Sequence, residues 1–127
     1  MLINIDYQDK RPIYEQITEK LQNLIVKGVL AENDKIPSVR NMAIELSINP
    51  NTIQRAYQEL ERAGYIYTVK GRGNFVSPSE SWKKDKLGEA MKDFEEKVTE
   101  LIHLGVSGDE MHRHIDDVVK KEGTNND

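Results

Sequence analysis

The chain has 127 residues, of which 37% are hydrophobic and 31% charged, with a formal net charge of -4 and no cysteine. That length suits one ordinary domain with a small appendage, and the lack of cysteine excludes disulfides, thiolate metal sites and thiol catalysis. No apolar run approaches the ~20 residues needed to cross a bilayer, and MLINIDYQDKR lacks the basic-then-apolar order of a signal peptide, so a cytoplasmic protein with no membrane partner is expected.

In chain order, Leu2, Ile3 and Ile5 read as a brief extended arm. Pro12 sits where a first helical turn tolerates a missing N–H. Ile13, Ile17, Leu21, Leu24 and Ile25 then recur at helical spacing, and Gly28 closes the run as a left-handed cap. Asn33-Asp34 signals a turn before Pro37. Ser38 is a good N-cap for a short helix carrying Val39, Met42, Ala43 and Leu46 on one face. Ser47-Ile48-Asn49 makes the next turn. Asn49 or Asn51 caps a further helix whose Ile53, Ala56, Tyr57 and Leu60 face the core, and Gly64 ends it. Residues 66–69, Phe75 and Val76 have strand propensity, with Lys70-Gly71-Arg72-Gly73 as the hairpin turn and Ser77-Pro78-Ser79 as a linker.

A different pattern follows. Leu87, Met91, Phe94, Val98 and Leu101 form a heptad-like seam ended by Gly105. Ser107 and Glu110 match a capping box, with Val106 and Met111 placed as its hydrophobic staple. Met111, Ile115, Val118 and Val119 supply one apolar face, and the tail from Gly123 is expected to fray. Two antiparallel helices of this size cannot bury both seams alone, nor enclose a sizeable pocket. They need the N-terminal domain, a partner chain, or both.

Two short helices, a tight turn and a hairpin are the order of a winged helix-turn-helix, in which the second helix of the pair enters a DNA major groove. The solvent face of that helix holds Asn51, Thr52, Gln54, Arg55 and Gln58. Asn and Gln bond adenine in two places and Arg does so with guanine. On composition alone an ordinary solvated face is the better account of these residues; the flanking helix and hairpin reverse that and favour a base-reading role. Arg40 is expected to anchor phosphate, and Arg72 to enter a minor groove from the turn formed with Lys70, Gly71 and Gly73. Ser38 and Asn49, at the two helix starts, complete the DNA-facing set.

Charge distribution agrees. Residues 1–78 carry ten basic and nine acidic side chains, whereas residues 79–127 carry eight and thirteen. Within residues 35–76 the ratio is six basic to three acidic, a locally basic unit joined to an acidic one. His112 and His114 are two apart and point to different helical faces, so with His103 they read as surface residues and no metal site is expected. No catalytic constellation and no phosphate-binding glycine loop are visible, so neither an enzyme nor a cofactor is expected.

Ile36-Pro37-Ser38-Val39-Arg40, Asn49-Pro50-Asn51-Thr52, Arg55-Ala56-Tyr57, Glu59-Leu60-Glu61 and Gly71-Arg72-Gly73-Asn74-Phe75-Val76 together resemble the DNA-binding domain of the GntR family of bacterial transcription regulators. Pro12-Ile13-Tyr14-Glu15-Gln16-Ile17 is similar to that family's opening helix. The short remainder resembles the YtrA-type subfamily, whose C-terminal part is a small dimerisation region. This resemblance implies a homodimeric regulator, usually a repressor, binding double-stranded DNA at an inverted repeat in its own promoter region, with ABC transporters often among the controlled genes. It carries DNA contacts over to Arg40, Thr52 and the turn at Gly71, Arg72 and Gly73. Many members have Arg where this chain has Pro50 and Gln54; the Asn-Pro-Asn-Thr form is typical of the subfamily. Gln54 leaves Arg55 as the basic side chain there, reading either a base or a phosphate.

The expected molecule is therefore mainly α with a small β-hairpin. Residues 1–78 form the winged helix-turn-helix domain. Residues 79–127 form a two-helix dimerisation hairpin using Leu87, Met91, Phe94, Val98, Leu101, Met111, Ile115 and Val118. The competing expectation is a winged-helix module that contacts another protein.

Overall fold

The computed structural model describes residues 2–125 and divides into two compact units, Met1–Lys84 and Asp85–Asp127. The elements in order are α1 (Ile13–Val26), β1 (Lys35–Ile36), α2 (Val39–Leu46), α3 (Pro50–Arg62), β2 (Ile66–Val69), β3 (Gly73–Val76), a single 3-10 turn (Ser79–Ser81), α4 (Lys83–His103) and α5 (Gly108–Asn125).

In the first unit the periodic residues of three helices meet. Ile17, Leu21, Ile53 and Leu60 are fully buried together with Met42 of α2, so α1, α2 and α3 share one core. The N-terminal arm forms no strand. Instead Ile3 is buried in that core, and buried Gln16 bonds the Asp6 backbone twice, accepting from its N–H at 3.1 Å and donating to its carbonyl at 3.0 Å. A side-chain amide with both groups satisfied replaces the ladder that an isolated strand would lack.

The helix boundaries follow local chemistry. Ser38 Oγ accepts from the Asn41 N–H at 3.1 Å, and Asn49 Oδ1 accepts from the Asn51 N–H at 2.8 Å. Each satisfies a donor that a helix start leaves unpaired. Pro50, at the first position of α3, has no N–H to satisfy. Between α2 and α3, Ser47 takes a left-handed conformation with φ 55°, which turns the chain sharply. The buried Tyr57 hydroxyl donates to the Pro37 carbonyl at 2.7 Å, tying α3 to the segment that leads into α2.

The sheet is larger than the hairpin expected from sequence. It has three antiparallel strands in the order β1-β3-β2, with Lys35 and Tyr67 both paired to Phe75. Two residues are too short to show a period of two, which is why β1 escapes a pattern reading. The Asn33 N–H donates to the Val76 carbonyl at 2.8 Å and the Val76 N–H to the Asp34 carbonyl at 2.9 Å, extending the pairing into the preceding loop.

Residues 77–79 are not a loose linker. Ser77 is buried and its N–H donates to the Tyr65 carbonyl at 2.9 Å. Trp82 is buried with its ring stacked on Tyr65 at 5.4 Å, and its Nε1 has no hydrogen-bond partner among the described residues. The first compact unit runs on to Lys84.

In the second unit, Gly105 at φ 89° ends the turn after α4, and Ser107 Oγ accepts from the Glu110 N–H at 3.1 Å at the start of α5. The fraying expected from Gly123 is not seen as far as Asn125; the rest of that tail lies outside the described residues. No described side chain of α4 or α5 is buried. The helices do not pack along their length, and between them lies an open apolar groove of about 440 Å³. The pair, expected to be too small to enclose a sizeable pocket, leaves an open groove because neither helix closes onto the other.

Candidate nucleic-acid interface

Burial of Ile53, Ala56, Tyr57 and Leu60 fixes which side of α3 reaches solvent. Asn51, Gln54, Arg55 and Gln58 are exposed and Thr52 is half-buried at the rim. Three of these five carry amides, each with a donor and an acceptor at one end, the chemistry that reads an adenine edge. Asn51, Thr52, Gln54 and Arg55 stand on the half of the helix nearest its N-terminus, whose first turn also favours phosphate, and Gln58 lies just past the midpoint. Ser38 and Asn49 use their side-chain oxygens as helix caps, so their contribution to the site is to hold the ends of α2 and α3 in place.

Exposed cations stand on the elements next to α3. Arg40 is exposed in the first turn of α2, and Lys70 and Arg72 are exposed in the hairpin turn. Ion pairs among the described residues use Arg11, Arg62 and Lys97, leaving those three cations uncommitted. The hairpin turn is closed by the Arg72 N–H donating to the Val69 carbonyl at 2.9 Å. Gly71 at φ 78° and Gly73 at φ 123° adopt backbone that other residues reach only under strain, so the tip is built to project Arg72 from a narrow support.

The third strand adds a residue that periodicity misses. Lys35 lies beside Gly73, its Cε 3.0 Å from where a Cβ on that glycine would sit. It is exposed and brings a further positive charge to the base of the wing. Only knowledge of the β1–β3 pairing brings Lys35 next to Gly73.

Arg55 has a specific partner. Its guanidinium carbon lies 3.8 Å from the centroid of the Tyr14 ring, on α1. Toward the other end of α3, Arg62 donates to Glu59 at 2.7 Å, and this bond raises the Arg62 pKa. Burial, reinforced by Glu45, pushes the Tyr57 phenol well above its ordinary value, so it stays a proton donor to Pro37.

In the second unit Phe94, Val98, Leu101, Met111, Ile115 and Val118 line the groove; Leu87 and Met91 lie farther back on α4 and are exposed. Val119 lines the groove as well, and Ile102 and Leu104 add exposed apolar surface outside the faces expected from sequence. Among the described residues, no three His, Cys, Asp or Glu lie together as metal ligands would, and no helix is long and apolar enough to cross a membrane.

Comparison with known proteins identifies the frame in which this surface sits. The model of the gntR family of bacterial regulatory proteins matches residues 13–76. The chain is 38% identical to the HTH-type transcriptional repressor YtrA of Bacillus subtilis (strain 168), over 99% of this chain and 100% of that protein. A GntR family transcriptional regulator from Listeria monocytogenes is 34% identical and superposes with a TM-score of 0.75, covering 89% of this chain and 98% of that one. The AraR DNA-binding domain, solved in complex with operator ORE1, is 27% identical with a TM-score of 0.51, covering 57% of this chain and 89% of that one.

Proposed function

Because the chain belongs to the GntR family of bacterial regulatory proteins and is a DNA-binding transcription regulator rather than an enzyme, we propose that it is a homodimeric cytoplasmic repressor acting on an inverted-repeat operator. The observation that carries this reading is the exposed amide face of α3, Asn51, Gln54 and Gln58, flanked by the unpaired cations Arg40, Lys70 and Arg72. Each wing-and-helix unit takes one half-site, with base edges read from α3 and phosphates held from α2 and the wing. The exposed apolar residues of α4 and α5 meet their counterparts on a second copy, since so much aliphatic and aromatic surface is costly to leave in water. Two-fold pairing of the protein then matches two-fold symmetry in the operator.

On this reading the operator lies in the promoter region of the protein's own operon, with an ABC transporter among the controlled genes, and the likeness to a YtrA repressor supports it. Footprinting the purified chain on DNA upstream of its own gene tests the reading. Two symmetric protected half-sites are the expected result, and no protection at nanomolar to micromolar protein overturns it.

A further inference from the structure

We propose that Tyr14 is a positioning residue for DNA binding: its ring holds the Arg55 guanidinium on the α1 side of α3, where the cation meets phosphate rather than a base. This rests on the reading of α3 as the DNA-contacting helix.

Arg55 is exposed and forms no ion pair, yet it is not loose, because its guanidinium lies over the Tyr14 ring at 3.8 Å. Tyr14 is itself half-buried and packs against the core from α1, so the ring is a fixed support. Stacking on an aromatic face occupies none of the five guanidinium N–H donors and leaves the full positive charge in place. A carboxylate partner would occupy two of those donors and offset the charge. The side chain is therefore ordered before any ligand arrives, and little rotamer freedom remains to be lost on binding.

Direction follows from the same contact. Gln54, one residue earlier, is exposed and lies ~100° around α3 from Arg55. The middle of a recognition helix faces base edges, and its flank faces the groove wall, which is sugar and phosphate. A guanidinium drawn toward α1 belongs to the flank. The sequence leaves base or phosphate open for Arg55; the stack on Tyr14 decides for phosphate.

The test measures affinity of the full-length chain against salt concentration, on a duplex carrying the footprinted half-sites and on a mixed-sequence duplex. Tyr14→Leu should weaken both by about two- to fivefold with an unchanged salt slope, because the charge remains. Tyr14→Phe should restore wild-type affinity. Arg55→Gln should lower the salt slope by about one per protomer and abolish the effect of Tyr14→Leu. Arg55→Lys perturbs no core residue and keeps the charge but gives up planar stacking, so it should lose affinity at constant slope. The proposal is overturned if Arg55→Lys binds like wild type, if the Tyr14→Leu loss persists in the Arg55→Gln background, or if Arg55→Gln changes preference at one base pair without changing the slope. Wild-type binding to the two duplexes tests the underlying reading separately, and a chain that binds neither overturns both.

Discussion

Gln54 and Arg40 both reach solvent, but their chemistries separate what each contributes. Gln54 carries no charge and has a planar donor–acceptor end, so replacing it with Ala should cost about 1–3 kcal/mol of discrimination at one base pair in each half-site. Binding to a mixed-sequence duplex should hardly change. Arg40 offers charge without base geometry, and Arg40→Ala should weaken all sequences alike and lower the salt slope by about one per protomer. Titrations on a panel of single-base operator variants distinguish the two outcomes. An Arg40→Ala chain with unchanged slope would remove that residue from the phosphate-binding set. Tyr57 works on stability instead. Its neutral phenol is favoured in the folded chain, so the contribution is full below the ordinary tyrosine pKa of 10.0 and is lost as pH rises toward the higher folded value. Tyr57→Phe should cost about 1 kcal/mol at neutral pH through the lost bond to Pro37. It should also flatten the fall in stability above about pH 10, measured by urea unfolding across pH. Residues such as Gln54 and Tyr57 were legible in the sequence because the helical period sorts them into opposite faces. Lys35 and Tyr14 were not, since their relevance depends on a neighbour in another element that no local pattern announces.

At the scale of elements, the helix ends were readable because capping is local chemistry. Ser38, Asn49 and Ser107 each bond a backbone N–H two or three residues ahead. The sheet was only partly readable: β2 and β3 share a glycine-marked turn, while β1 exists through pairing with β3 alone. The segment after the sheet was misjudged for the same reason. Ser77, Pro78 and Ser79 have the composition of a linker, yet Gly64 allows the segment to close against the end of α3. A Cβ at Gly64 would lie 2.4 Å from the Ser81 carbonyl oxygen, and φ there is +85°, so both space and backbone demand glycine. Gly64→Ala should therefore destabilise the first unit by more than the ~1 kcal/mol of a conformational penalty alone. Because Ser81 precedes the only tryptophan, displacement of the segment should expose Trp82 and shift its emission to the red. A variant with wild-type melting temperature and emission would show that the contact is dispensable.

For the whole molecule, two electrostatic demands oppose each other. DNA binding by the first unit releases counterions and weakens as salt rises. The unit Asp85–Asp127 carries twelve acidic side chains against six basic ones, so two copies brought together repel at low ionic strength. Salt screens that repulsion with a Debye length that falls from ~30 Å at 0.01 M to ~10 Å at 0.1 M. The apolar contacts proposed for the dimer, Phe94, Leu101 and Ile115 among them, are indifferent to this screening. Self-association should therefore tighten with added salt over the range in which affinity for DNA falls. Sedimentation equilibrium without DNA measures the first trend, and titration at protein concentrations well above the dimer dissociation constant isolates the second. Dimerisation that weakens with salt would mean that ion pairs, not apolar contacts, join the two copies. Ile115→Glu separates these possibilities. It places a charge in the groove while leaving the sequence of the first unit unchanged, and should weaken the dimer by at least on the order of a hundredfold if that surface is buried between copies. An unchanged dimer would place the contact elsewhere on the chain.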